Sequence, residues 1–471
     1  MTALTFLWYN VAMLFKSFFK KVSTTLVRMS PARRIFLSFA MVILVGSLLL
    51  SLPFVQAETS SASYFDHLFT TVSMVCVTGL FTMPVSSTYN VWGQLICMFL
   101  IQIGGLGLMT FIGVFYTQSK QKLSLRSRET LQESFSYEES RSLKDFIRSI
   151  FLTTFLIEGL GAFLLSFRLV PEFGLARGIF TSIFLAISAF CNAGFDNFGS
   201  TSLSSFQTDP LINLVIAGLI ITGGLGFMVW FDLASQVKKS QKRKLRFHTK
   251  LVLGLTVGIL LFGTVTTLCT EWGNAGTIGN LTVPEKILVS FFQTVSMRTA
   301  GFASIDFTQA RSVTLLLYIF QMFLGGAPGG TAGGLKITTF FVLILFARTE
   351  LLGLPHVNIC QRTIDPKTVQ KSFSVFIIFL LTFLLGLLLL GLTAKDNPPF
   401  IHLMFETISA LATVGVTANL TPELGRLALS VVMMLMFIGR IGPLTLLVSL
   451  ADYQPDKKDM IHYMKADITI G

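Results

Sequence analysis

Val77-Thr78-Gly79-Leu80 decides how this chain is read, because something close to it returns three times: Asn192-Ala193-Gly194-Phe195, Thr299-Ala300-Gly301-Phe302 and Thr413-Val414-Gly415-Val416. The glycines stand 115, 107 and 114 residues apart. Each follows a Phe-x-x-x-Ser pair: Phe69/Ser73, Phe184/Ser188, Phe292/Ser296 and Phe405/Ser409. From serine to glycine is six residues in the first, second and fourth copies and five in the third. A register this regular marks a fourfold internal repeat.

Around each glycine lies the same apolar pattern. A long segment comes first (about 35–56, 146–168, 250–270 and 371–393), then a short one ending near the glycine (63–76, 178–191, 284–297 and 399–412). A second long one follows (90–116, 210–236, 312–347 and 426–451). The long segments have the length of spanning helices, whereas the short ones fit re-entrant helices. Of the 471 residues, 52% are hydrophobic and 13% charged, with mean hydropathy +0.71, which excludes an ordinary soluble domain. The fold expected is an all-α polytopic membrane protein. Four membrane–pore-loop–membrane repeats, with eight spanning helices and four re-entrant pore helices, surround one central pore.

The net charge of +12 sits in loops rather than along a solvated face, so it reads as a topology signal and not as a nucleic-acid surface. Basic residues crowd the N-terminal segment (Lys16, Lys20, Lys21), the connection at 117–148 (Lys120, Lys122, Arg126, Arg128, Arg141, Lys144, Arg148) and that at 237–250 (Lys238, Lys239, Lys242, Arg243, Lys244, Arg246, Lys250). These are assigned to the cytoplasm, with both termini. The loops beside the short segments carry Asp196, Asp209, Glu271, Asp306, Asp396 and Glu423, so all four glycine loops open outward in parallel repeats. The N-terminal segment is amphipathic and aromatic and reads as lying along the inner membrane surface; no secretory signal peptide is seen. The divisions are 1–34 (N-terminal segment), 35–117 (repeat one), 118–144 (linker), 145–236 (repeat two), 237–249 (basic linker), 250–347 (repeat three), 348–369 (linker), 370–451 (repeat four) and 452–471 (tail). Cys76, Cys97, Cys191, Cys269 and Cys360 show no ligand or disulfide spacing and read as small core residues.

Irregular backbone at membrane depth is tolerated only where it is packed in protein or lines a polar path. Four small-residue loops meeting on one axis would present backbone carbonyls able to replace a cation's water shell. Glycine supplies the dihedrals that let successive carbonyls point one way. The short helices would aim their partially negative C-termini at the path. Four unremarkable tight turns are the alternative.

In these residues the chain resembles the Trk/Ktr/HKT superfamily of potassium transporters, over about 35–451. With one strong span before the first glycine loop, it is most similar to the KtrB type of bacterial Ktr uptake systems. The resemblance implies a potassium filter of Val77-Thr78-Gly79, Asn192-Ala193-Gly194, Thr299-Ala300-Gly301 and Thr413-Val414-Gly415. In the family a serine at the first glycine goes with sodium transport; Gly79 stands there, which implies potassium. Repeat two departs most from Thr-Val-Gly. The resemblance further implies potassium as the transported ion, with sodium activation left open. It implies a homodimer in the bacterial plasma membrane, resting on a cytosolic KtrA-type ring that binds ATP or ADP, with no nucleotide on this chain itself.

A second repeated signal begins 24 to 29 residues after the filter glycines: Gly104-Gly105-Leu106-Gly107, Gly223-Gly224-Leu225-Gly226, Gly325-Gly326 and Gly439-Arg440-Ile441-Gly442-Pro443. The first two read as close helix packing. The third extends to Gly325-Gly326-Ala327-Pro328-Gly329-Gly330-Thr331-Ala332-Gly333-Gly334, too rich in glycine to stay helical. A nucleotide loop is excluded because Leu335 precedes Lys336 and the G-K-[ST] ending is missing. By resemblance 325–334 is the intramembrane gate, acting with Lys336 and Arg440. An arginine at mid-membrane needs a partner or an aqueous cavity. It pairs with Glu158 or Glu406, or it serves as a fixed positive charge below the filter. Arg298 and Glu406 are expected to brace the loops.

The reading is therefore potassium uptake down the electrochemical gradient, without catalysis. An inside-negative potential of ~100 mV contributes about 2.3 kcal/mol per charge, or roughly 50-fold accumulation. The rivals are a sodium-selective or sodium-coupled relative, a secondary carrier with inverted repeats, and an embedded enzyme, for which no nucleophile–base set is found.

Overall fold

Four helices have the length and composition to cross a bilayer: α1 (Pro31–Leu50), α4 (Leu143–Phe173), α8 (Phe247–Glu271) and α12 (Pro366–Thr393). They belong to a computed structural model that describes residues 31–58, 60–107, 143–199, 202–237, 245–395 and 397–442. The expected N-terminal surface segment, most of linker 118–144 and the tail 452–471 lie outside these residues. Leu48, Leu152, Leu261 and Leu388, one on each long helix, are exposed where a soluble protein would carry charge. These faces suit lipid.

Each long helix is followed by a short one: α2 (Tyr64–Cys76), α5 (Leu175–Phe190), α9 (Val283–Ser296) and α13 (Phe400–Leu411). At 1.5 Å per residue, 12 to 16 residues reach only about 18–24 Å, short of a hydrocarbon core of roughly 30 Å. Capping boxes start two of them. Asp66 and Glu285 turn back to accept the backbone N–H of Ser63 and of Thr282, each at 2.9 Å. The Thr282 hydroxyl and N–H hold the Glu285 carboxyl below its ordinary range.

The second long segments are not all continuous: the third breaks at its glycine-rich stretch, as its composition predicts, and the second bends as well. They form α3 (Val91–Leu106), α6 (Pro210–Gly224) with α7 (Phe227–Val237), α10 (Ser312–Phe323) with α11 (Ile337–Leu351), and α14 (Arg426–Ile441). The α6–α7 pair bends by 98°; among the described residues four helices pass as spans by length and composition, or five if that pair is one span. The cause is glycine. Gly107, Gly226 and Gly442, each last in its motif, take φ of 79°, 86° and 92°, a backbone that side chains resist. The continuations 108–116 and 443–451 lie outside the described residues. Two-residue strands β1 (Asn358–Ile359) and β2 (Arg362–Thr363) make a small hairpin before α12.

Packing closes a ring. Helix α3 touches α2 and α5, α6 touches α5 and α9, α8 joins α9 to α10, α10 touches α13, and α14 touches α13 and returns to α2. The short helices fill the middle, and Phe69, Phe184, Phe292 and Phe405 with Ser73, Ser188, Ser296 and Ser409 are fully buried. Cys76, Cys97 and Cys191 are buried too. Cys269 and Cys360 are exposed, contrary to the core role expected of them, because Cys269 lies on a lipid-side face of α8 and Cys360 on the hairpin.

Candidate functional site

The four repeated serines clamp the four glycine loops. Ser73 Oγ accepts from Gly79 N at 3.1 Å, Ser409 Oγ from Gly415 N at 3.1 Å, and Ser188 Oγ from Phe195 N at 2.9 Å. Ser296 Oγ instead donates to Phe302 O at 2.5 Å. The serine carbonyls work in parallel: Thr78, Ala193 and Val414 N donate to Ser73, Ser188 and Ser409 O, each at 2.8 Å. In the third copy, one residue shorter, Ala300 N takes that place on Ser296 O at 2.9 Å. Sequence reading found the serines but not their task. Ser73→Ala and Ser409→Ala leave buried N–H groups unpaired, at about 1–3 kcal/mol each. Each variant is expected to lower the thermal unfolding midpoint in detergent by a few degrees; an unchanged midpoint overturns the clamp.

Each triad opens on a left-handed residue. Val77, Asn192, Thr299 and Thr413 have φ of 56°, 58°, 68° and 52°, and Gly79, Gly194, Gly301 and Gly415 have 105°, 67°, 85° and 95°. Three of the first residues are β-branched, for which positive φ is a genuine outlier of the kind stored at functional sites. In repeat two asparagine tolerates it better. With its amide nitrogen turned to the carbonyls of Ala189 (3.1 Å) and Ile220 (3.2 Å), Asn192 fastens the second loop to α6. Left-handed first and third residues thus flank a middle residue without positive φ, the alternation that lets successive carbonyls turn to one side.

The structure brings all four triads together. A Cβ built on Gly79 would lie 2.8 Å from Ala193 O; on Gly194, 2.7 Å from Ala300 O; on Gly301, 2.4 Å from Val414 O; on Gly415, 1.8 Å from Thr78 O. Each glycine thus faces the carbonyl before the next glycine, and the fourth returns to the first. The ring is made of backbone oxygens, with no titratable side chain in any triad. Helices α2, α5, α9 and α13 end at it, adding the negative ends of their dipoles. The arrangement suits a desolvated cation.

The second motif lies against this ring. Cβ atoms on Gly104, Gly223 and Gly439 would sit 2.3, 1.9 and 1.9 Å from the carbonyls of Val75, Phe190 and Leu411, each four residues before its glycine. Small residues let these helices touch the ends of the short ones.

Residues 324–336 form a loop at the same level. Gly325 N donates to Leu335 O (2.8 Å) and Ile337 N to Gly326 O (3.2 Å), closing its neck. Across it, Ala327 N and Thr331 N donate to the carbonyls of Gly224 (3.0 Å) and Gly223 (3.1 Å), and Phe227 N to Gly329 O (3.1 Å). Gly330 packs on Gly223 and Gly226, and Gly334 takes φ of 66°. Lys336 Nζ donates to Ala332 O at 2.6 Å. Gly333 N donates to Thr299 Oγ1 at 3.1 Å, and a Cβ on Gly333 would sit 2.0 Å from Thr413 Oγ1. The return arm of the loop, at Gly333 beside the neck, therefore abuts the threonines of two triads.

Arg440 closes the assembly. Its guanidinium donates to Thr331 O at 2.6 Å, to Gly105 O at 3.2 Å and to Gly104 O. Of the two readings of Arg440, the pairing with Glu158 or Glu406 is not the one these hydrogen bonds make. Glu158 accepts instead from Gln102 Nε2 (3.0 and 3.2 Å), and Glu406 from Thr417 Oγ1 (2.7 Å) and Thr421 Oγ1. Helix ends and loops leave carbonyls without partners, and Arg440 reaches those first. Glu406 braces the loop after its triad as expected, whereas Arg298 is buried with its Nε lacking a partner.

Comparison with known proteins gives one family. The model of TrkH cation transport proteins matches residues 4–460. The Ktr system potassium uptake protein B of Bacillus subtilis is 39% identical over 445 residues, covering 94% of this chain and 98% of that one. The potassium/sodium uptake protein NtpJ of Enterococcus hirae is 38% identical over 425 residues, covering 90% and 93%. The crystal structure of the potassium transporter TrkH from Vibrio parahaemolyticus superposes with a TM-score of 0.70 at 18% identity, over 89% of this chain and 84% of that one, which shows a shared fold. The chain belongs to the TrkH family of cation transport proteins.

Proposed function

We propose that this protein takes up potassium through a pore in the bacterial plasma membrane, built from four membrane–pore-loop–membrane repeats. The observation that carries the reading is the closed ring of backbone carbonyls at Thr78, Ala193, Ala300 and Val414, each against a glycine of the neighbouring loop. Carbonyl dipoles in such a ring substitute for the water around a monovalent cation. The triads Val77-Thr78-Gly79, Asn192-Ala193-Gly194, Thr299-Ala300-Gly301 and Thr413-Val414-Gly415 are the filter in this reading, and the potential across the membrane drives the ion.

The loop 325–334 is the gate. Its return arm, at Gly333, sits on Thr299 and Thr413, so an ion leaving the ring meets it at once. Arg440 holds the loop shut through Thr331 O and sets a positive charge beside the path. Opening requires these hydrogen bonds to break together. Potassium as cargo is favoured by the name of the Bacillus relative, and the Enterococcus name keeps sodium as a second cargo. A name that speaks of a Ktr system fits a further component, here a cytosolic nucleotide-binding ring under a homodimer, docked on the basic linkers. In this reading those linkers and both termini face the cytoplasm.

Cation flux into proteoliposomes containing the purified chain tests the proposal. Potassium entry several-fold faster than sodium entry is expected. Entry of sodium alone, or none under an inside-negative potential, overturns it.

A further inference from the structure

Helix α8 and the hairpin tip enclose a groove away from the triads, the loop and Arg440. Phe247, Lys250, Gly254 and Leu255 line it from α8, and Cys360 and Arg362 from the hairpin, around about 590 Å³. The Arg362 guanidinium stands 5.3 Å over the Phe247 ring. Lys250 and Arg362 are exposed, no acidic residue lines the groove, and among the described residues neither cation has an ion-pair partner.

The groove continues along a spanning helix. Gly254 lies one turn beyond Lys250 and Gly258 one turn further, and a Cβ on either would meet nothing within 4 Å. At 1.5 Å per residue these positions are about 6 and 12 Å deeper than Lys250. Exposed Val257 and Leu261 flank the same face of α8. An acidic surface on a soluble partner could reach the two cations but not this depth. An occupant that satisfies both ends has a negative head group and an apolar tail.

We infer that the groove binds an anionic phospholipid, its phosphate between Lys250 and Arg362 and an acyl chain lying over Gly254 and Gly258. Charged pockets at helix ends select such head groups, at about 1 kcal/mol per cation near the surface. Neutralising both should weaken binding roughly 30-fold.

Cys360 on the rim reports occupancy. The full chain carrying Cys269→Ser is placed in nanodiscs of phosphatidylcholine alone or with phosphatidylglycerol, and labelling of Cys360 by an impermeant maleimide is timed. Phosphatidylglycerol should slow labelling several-fold. Lys250→Gln with Arg362→Gln should remove the difference, as should Gly254→Leu, which keeps both charges and fills open space. A thermal midpoint near that of the parent shows that each variant folds. Equal labelling in the two lipids overturns the inference. So does protection by inorganic phosphate or a fatty acid in phosphatidylcholine discs, or protection that arises only with an acidic partner protein.

Discussion

Gly415→Ala is expected to cut potassium flux roughly 100-fold, and Gly79→Ser to abolish the preference for potassium over sodium. A methyl on Gly415 would fall 1.8 Å from Thr78 O and 2.7 Å from Gly79 Cα, both backbone, so the ring itself must move. The φ of 95° adds about 1–2 kcal/mol for any L-residue. Each 1.4 kcal/mol is a factor of ten, so strain and displacement of a ring carbonyl reach two decades. At Gly79 the nearest atom is Ala193 O at 2.8 Å, a gentler clash that a serine accommodates by widening the ring. A wider ring no longer fits potassium more closely than hydrated sodium. Proteoliposome flux of both ions checks this, with Gly218→Ala as control, because that glycine is exposed in α6 with nothing within 4 Å. Native selectivity in Gly79→Ser, or native flux in Gly415→Ala, would remove the carbonyl ring from the mechanism.

Arg440→Gln is expected to raise potassium flux through the isolated chain by roughly 100-fold. The guanidinium ties Thr331 O in the loop to Gly104 O and Gly105 O at the end of α3, bridging the third, fourth and first repeats. Charge-assisted hydrogen bonds contribute about 1.5–3 kcal/mol each. Loss of about 3 kcal/mol from the closed state alone shifts the open population by roughly two decades. Glutamine retains a donor but neither the charge nor the reach to three carbonyls. Thr331→Val frees only the bond from Thr331 Oγ1 to Phe190 O (3.0 Å), so a smaller rise is expected. If Arg440 were only a structural brace, Arg440→Gln would lower flux and thermal midpoint together. Single-variant flux traces, read beside the midpoint, decide between these outcomes.

The repeat was legible because it is written in local chemistry. Apolar runs of one length and a serine at fixed spacing from a glycine survive in the sequence whatever surrounds them. The glycine-rich break at 325–334 was legible for the same reason, since ten residues with six glycines cannot hold a helix. The bend at Gly226 was not. Gly223-Gly224-Leu225-Gly226 has the look of a packing motif, and only the loop carbonyls of Pro328 and Gly329 beside it turn its last glycine into a 98° break. Arg440 was found as an oddity, but its partners were not found. An acid is the obvious partner in one dimension, and three carbonyls from two other repeats can be seen only in space.

What the sequence determined by itself is the membrane, the fourfold register, the four short helices and the twelve triad residues. Each follows from composition and from a short serine-to-glycine spacing that returns every 107 to 115 residues. Tertiary structure alone decided that the triads meet in one closed ring, that Gly333 of the loop rests on Thr299 and Thr413, and that Arg440 binds backbone. The Arg440 contacts join residues more than a hundred positions apart, from Thr331 to Arg440 and from Gly104 to Arg440. Backbone carbonyls carry them, and every residue has a carbonyl, so no side-chain pattern in the sequence could single out the ones that matter.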